Sequence, residues 1–149
     1  METTILIIDD NVVLARAFAR VLTDAGYRVH TWHSAEDGLR QAKTQPPDAI
    51  ILDLQMPFVN GLGFLYRLRA DPALRDTPVM VVTGTALNPQ RVSELDELGA
   101  IVRLKPLGVD ELLAETRALI AEACTSSRPA RIENPADPVS SAAASGNRT

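Results

Sequence analysis

TTILIIDDN, residues 3–11, is an apolar, β-branched run that ends on two adjacent carboxylates, Asp9 and Asp10. A second apolar run, residues 49–52, ends on Asp53. Runs this short and this apolar, each stopped by acid, read as strands covered on both faces. If such strands lie parallel, their C-terminal ends share one edge of a sheet, and three carboxylates crowd together there. Like charges at that spacing are relieved by a cation or by a shifted pKa, and a hard divalent ion held by oxygen, such as Mg²⁺, is the natural relief.

Working outward, five β-like runs occur in order, at residues 4–9, 28–32, 49–53, 78–83 and 101–104, with stretches of helical period between them. Val13, Ala17, Val21 and Leu22 fall on one face of the first helix, before Gly26, which suits a left-handed C-terminal cap. Ser34, with Asp37 three residues on, starts the second helix. Asn60 and Gly61 open a third that carries Leu62, Leu65 and Leu68 and closes at Asp71 and Pro72. Asn88 and Pro89 read as cap and first residue of a fourth, with Val92 and Leu95 inward. Leu112, Leu113, Thr116, Leu119 and Ile120 define the fifth. Strands alternating with helices of this length imply an α/β fold, a doubly wound (βα)5 parallel sheet joined by right-handed crossovers. The mixed second strand, RVHTW, belongs at an edge.

The chain has 149 residues, 46% of them hydrophobic, which suits one domain with a proper core. Fifteen Lys and Arg against 19 Asp and Glu give a net charge of −4, and no basic block is long enough to track a phosphate backbone. Direct nucleic-acid binding is not expected. Cys124 is the only cysteine, so neither a disulfide framework nor a cysteine-based zinc site is available. No basic-plus-apolar signal segment precedes Thr3 and no apolar run approaches the roughly 20 residues that span a bilayer, so a soluble, cytoplasmic protein without membrane contact is expected. The domain is expected to occupy residues 1–123. From 124 to 149 the composition turns to Ser, Ala and Pro, with Ile132 and Val139 as the large apolar groups, and a disordered tail is expected.

Four motifs, LIIDDN at 6–11, ILDLQMP at 51–57, VVTG at 81–84 and LKP at 104–106, stand in order at strand ends. Together they resemble a two-component response-regulator receiver domain, over residues 3 to about 122. The resemblance implies the flavodoxin-like (CheY-like) strand order 2-1-3-4-5. It also implies that Asp53 is the phosphoacceptor, taking a phosphoryl group from a phosphohistidine. Asp10 matches a direct ligand of Mg²⁺ (Mn²⁺ is an equivalent hard ion), Asp9 a ligand through water or a positioning group, and Gln55 the source of a backbone carbonyl ligand. Lys105 matches the lysine that pairs with a phosphoryl oxygen, Thr83 the hydroxyl that switches toward it, and Gly84 the open position through which phosphoryl and donor imidazole approach. The bond before Pro106 is expected to be cis.

The chain departs from the pattern at Val102, where the family commonly carries an aromatic ring that turns inward with the threonine. The segment before Lys105 is also one residue shorter. Phe58 and Asn60 replace a more usual small residue and acid, and Phe58 reads as a cap on the loop beside the site. Gln55 and Thr85 occupy the variable positions associated with phosphoryl lifetime, and neither supplies a carboxylate. Trp32 stands where a small residue is usual and reads as a plug over the start of the second helix. His30 and His33 read as surface groups, since neither has a second ligand at metal spacing.

The expected protein is a stand-alone receiver with no external turnover, whose partners are a histidine kinase or histidine phosphotransfer protein and a downstream target of unknown identity. A phosphorylation-dependent homodimer is a further possibility. Alternatives are a phosphoryl shuttle or sink without a target of its own, and a metal-dependent phosphatase working through an aspartyl phosphate. The last would need its nucleophile two residues before a second Asp at the first strand end, and Asp9-Asp10-Asn11 lacks that spacing.

Overall fold

Short strands of β-branched residues build the sheet: β1 (Thr4–Ile8), β2 (Arg28–Trp32), β3 (Ala49–Asp53), β4 (Val79–Thr83) and β5 (Ala100–Leu104). Helices α1 (Val12–Asp24), α2 (Ala35–Thr44), α3 (Gly61–Ala70), α4 (Pro89–Glu97) and α5 (Val109–Ser127) alternate with them. This computed structural model describes residues 2–54 and 61–127, with backbone alone for 124–127. The expectations for Gln55, Phe58 and Asn60 and for residues 128–149 lie outside the described residues. The chain divides into two compact units, residues 1–119 and 120–149; every strand belongs to the first, and the described part of the second is the end of α5.

All strand pairs are parallel and the order is β2-β1-β3-β4-β5, the doubly wound arrangement implied by the sequence. The three central strands are almost wholly buried, while β2, at one edge, is half-buried and exposed at both ends. Because side chains alternate across a strand, Leu6, Ile8, Ile50, Leu52, Val79 and Val81 share one face. There they pack with Leu39 of α2, Phe64, Leu65 and Leu68 of α3 and Leu95 of α4. Ile5, Ile7, Ile51, Met80 and Val82 project the other way, and α1 and α5 contribute Phe18, Leu22, Leu112 and Leu119 as buried residues. Each such side chain contributes about 1.5–3 kcal/mol on leaving water, which is why the apolar strands dictate the fold.

Helix boundaries follow local chemistry. Asn11 caps α1 by accepting the Leu14 N–H at 3.1 Å. Gly26, with φ +104°, ends it: Gly26 N–H donates to Thr23 and Tyr27 N–H to Leu22, the paired bonds of a Schellman motif. Ser34 caps α2 and Asn88 caps α4 ahead of Pro89, as expected. Two inward faces require correction. Val13 is 79% exposed and Ala17 is exposed; the buried stripe of α1 is Ala15, Phe18 and Leu22. At 100° per residue, phasing the helix from Val13 rather than from the bulky Phe18 turns the stripe outward. Val92 of α4 is likewise exposed, and Leu95 alone in that helix is fully buried.

Candidate functional site

β-strand register decides which residues meet. Ile8 lies opposite both Trp32 and Leu52, Asp53 opposite Val82, and Thr83 opposite Leu104. Asp9, Asp53, Thr83 and Lys105 therefore converge on the C-terminal edge of β1, β3, β4 and β5. Ligand oxygens of Asp9, Asp10 and Asp53 all lie within 4.8 Å of one another.

Asp9, 4% exposed, is held at every polar atom. Its N–H donates to the Trp32 carbonyl at 3.0 Å, its Oδ1 accepts the Asn11 N–H at 2.9 Å, and its Oδ2 accepts from Lys105 Nζ at 3.3 Å. The Asp9 carbonyl lies 3.0 Å from His33 Nδ1. Asp10 is exposed, and because Asn11 caps α1, neither aspartate is used for that purpose. Asp53, 6% exposed, is reached by Lys105 Nζ at 3.8 Å from Oδ1. Below it, a Cβ on Gly61 would sit 2.8 Å from both the Asp53 carbonyl and Leu54 Cα, so only glycine lets α3 begin this close to the end of β3.

Thr83 is fully buried. Its hydroxyl donates to the Thr85 carbonyl at 3.4 Å and accepts the Thr85 N–H at 3.3 Å, both long and therefore weak bonds, while its carbonyl accepts the Lys105 N–H at 2.8 Å. A Cβ on Gly84 would meet nothing within 4 Å, so the approach beside Thr83 is open. The Lys105–Pro106 bond is cis. Val102 is half-buried, opposite Val81, and packs against the main core cluster.

Two nearly buried carboxylates beside an exposed third are costly unless compensated. With the three ionised and one ammonium among them the formal charge is −3 + 1 = −2, which one divalent cation matches. The three carboxylate oxygens, all within 4.8 Å of one another, are the hard oxygen donors that an ion of the Mg²⁺ type takes. Donor chemistry and spacing both fit a hard oxygen-bound ion.

The structure thus brings Asp9, Asp10, Asp53 and Lys105 together and sets Thr83 and Gly84 on the adjoining strand end. Gln55 lies outside the described residues. Two contributors escaped the sequence reading: Asn11, whose capping frees the acids, and His33, which meets the Asp9 carbonyl although its ring is exposed. The β1–β2 register places the residue after Trp32 beside Asp9, a relation visible in the structure and not in the sequence. Among the described residues no helix is long and apolar enough to cross a membrane.

Comparison with known proteins agrees with this geometry. The response regulator ArlR of Staphylococcus aureus is 36% identical over 118 residues, 79% of this chain and 52% of the relative, so the chain spans about half the length of the curated relatives it matches. The solved chemotaxis protein CheY4 of Vibrio cholerae superposes with a TM-score of 0.75 at 27% identity, covering 80% of this chain and 99% of that one. A solved chain from Chloroflexus aurantiacus J-10-fl gives 0.74 at 30% identity, over 81% and 99% of the two chains. The family described as "Response regulator receiver domain" matches residues 5–117. Fold, acidic cluster and sequence match converge, and the chain belongs to the response regulator receiver domains, the phosphoacceptor modules of two-component signalling.

Proposed function

We propose that this receiver takes a phosphoryl group from a phosphohistidine onto Asp53 and signals through protein contacts. The observation that carries the reading is Asp53 at the floor of the acidic cluster, nearly buried, with Lys105 Nζ 3.8 Å away and Thr83 and Gly84 on the neighbouring strand end. A carboxylate oxygen of Asp53 forms the new bond to phosphorus as the phosphorus–nitrogen bond of the donor breaks, and the imidazole departs with that electron pair. Asp10 and Asp53 would hold Mg²⁺ or Mn²⁺ directly, with Asp9 acting through water or as a positioning group. The bound ion supplies charge neutralisation for the phosphoryl oxygens in a loose transition state. Lys105 pairs as a compact point charge with one phosphoryl oxygen, Thr83 donates its hydroxyl to another after leaving Thr85, and Gly84 leaves room for the donor ring.

Family membership makes a histidine kinase the donor, directly or through a histidine phosphotransfer protein. We assign output to a partner protein recognised by the phosphorylated domain, which gains a charge of about −1.5 to −2. Val102 supplies no aromatic ring at the position where the family commonly carries one, so an inward-turning ring there is not part of the readout.

Acetyl phosphate with Mg²⁺ is expected to label the wild-type protein once, and Asp53→Asn to abolish the label. Intact-mass spectrometry that finds no phosphoryl gain, with a control receiver labelled in the same buffer, refutes the assignment. Return of the label to a partner histidine marks a shuttle, and phosphorylation-dependent capture of a purified target without such a histidine marks a switchable binding module.

A further inference from the structure

We propose that His33 is a positioning residue for the acidic cluster: by donating Nδ1–H to the Asp9 carbonyl it fixes the Asp9–Asp10 peptide and so the direction in which both carboxylates present their oxygens. The inference rests on the Mg²⁺ reading of the site given above.

The hydrogen bond is 3.0 Å, and since a carbonyl can only accept, the ring nitrogen must donate. Both the neutral tautomer protonated at Nδ1 and the imidazolium supply that hydrogen, so the contact does not depend on the charge of the ring. Its leverage comes from where the carbonyl sits. Asp10 lies between the last residue of β1 and the Asn11 cap of α1, outside both the ladder and the helix. The three other polar atoms of Asp9 are held by Trp32, Asn11 and Lys105, and each of those fixes either the ladder or the Asp9 side chain. The carbonyl is the atom that sets the plane of the peptide leading into Asp10. The Asn11 N–H to Asp9 Oδ1 bond holds the chain on the far side of Asp10 and the His33 bond holds it on the near side, so losing the latter frees one of the two restraints on the Asp10 backbone. Outer-shell partners of this kind govern how well a ligand set fits its ion.

The test compares wild type, His33→Ala and His33→Asn in the full chain, the asparagine amide keeping a donor close to where Nδ1 stood. Mg²⁺ affinity is measured by titration calorimetry. The Mg²⁺ dependence of acetyl-phosphate labelling and the melting temperature of the metal-free protein are measured alongside. The expected result is that His33→Ala weakens Mg²⁺ binding about tenfold, with the loss in the Mg²⁺ half-saturation rather than in the limiting rate, and that His33→Asn recovers most of it. Equal Mg²⁺ affinity in wild type and His33→Ala overturns the proposal. So does a loss that accompanies a fallen melting temperature and is not recovered by asparagine, which marks a mere tether between loops. Wild-type protein that labels on Asp53 but shows no Mg²⁺ binding overturns both this proposal and the metal reading, whereas wild-type binding with unaffected variants removes this proposal alone.

Discussion

Lys105 stands between two carboxylates that are each about 94% shielded, and its ammonium is the described cation that both of them meet. Lys105→Ala is expected to bind Mg²⁺ at least as tightly as wild type, because the competing ammonium is gone, yet to lose the response to phosphorylation. Calorimetry for the ion and amide shifts on addition of beryllofluoride for the response separate the two effects. Loss of Mg²⁺ binding would point to a damaged fold or a different site, which the melting temperature of the variant separates. Tyr66 offers a second test, on the α3–α4 surface, where its hydroxyl donates to Glu94. That bond, with the negative charges of Glu94 and Glu97 adding to it, raises the phenol above its ordinary value of about 10. The link exists while the phenol is protonated, so it is present below about pH 10 and disappears as pH rises through the raised value. Phenolate absorbance is expected to rise at lower pH in Glu94→Ala than in wild type, and coincident titrations would contradict the bond.

Between elements, Arg69 at the end of α3 does what no capping rule foretells. Its Nε donates to the Leu98 carbonyl at 2.7 Å and its Nη1 to the carbonyls of Thr77 at 2.6 Å and Arg75 at 3.0 Å, tying α3 to the turn after it and to the end of α4. Burial lowers the guanidinium pKa, with Asp76 opposing, but arginine stays charged in any practical range. Arg69→Ala is expected to cost about 2 kcal/mol in urea unfolding, since it strands carbonyls that met a charged donor. Arg69→Lys is expected to recover little, because an ammonium cannot reproduce the fork; full recovery would show that charge alone matters. The helix ends at Ser34, Gly26 and Asn88 were legible because these residues act through bonds to near neighbours in sequence, whereas the Asn11 cap was hidden behind the acidic pair. The phase of α1 was not legible either, since Val13 and Phe18 are both apolar and only the packed sheet distinguishes them. Arg69 was illegible because its acceptors, in the turn just after α3 and at the distant end of α4, meet the guanidinium only once those segments have packed.

Across the whole domain, metal binding and folding stability are linked. Mg²⁺ at a hundred times its dissociation constant is expected to add about 2.7 kcal/mol, a rise of roughly 5–10 °C in melting temperature. Asp10→Asn is expected to lose most of that rise, and an unchanged Mg²⁺ effect in the variant would exclude Asp10 as a ligand. The meeting of Asp9, Asp10 and Asp53 could be read from the chain because buried parallel strands are written as unbroken apolar runs whose ends mark one edge, whereas the strand order and the place of Lys105 came only with the family resemblance. His33 could not be read from the chain, because its role depends on how β2 registers against β1, and RVHTW has no apolar pattern strong enough to set that register.

The same unbroken runs carry a hazard. ILII, AIIL and VMVV are β-prone, uncharged and free of proline, the composition of segments that stack into cross-β fibrils. In the folded chain they occupy the interior of the sheet, while the edges fall to β2 and β5, where Arg28 and Arg103 pair with Glu2 and Glu115 and discourage strand addition. A variant that opens the sheet therefore releases three adhesive strands at once, and damage to this domain will be met first as insoluble protein rather than as a weakened signal.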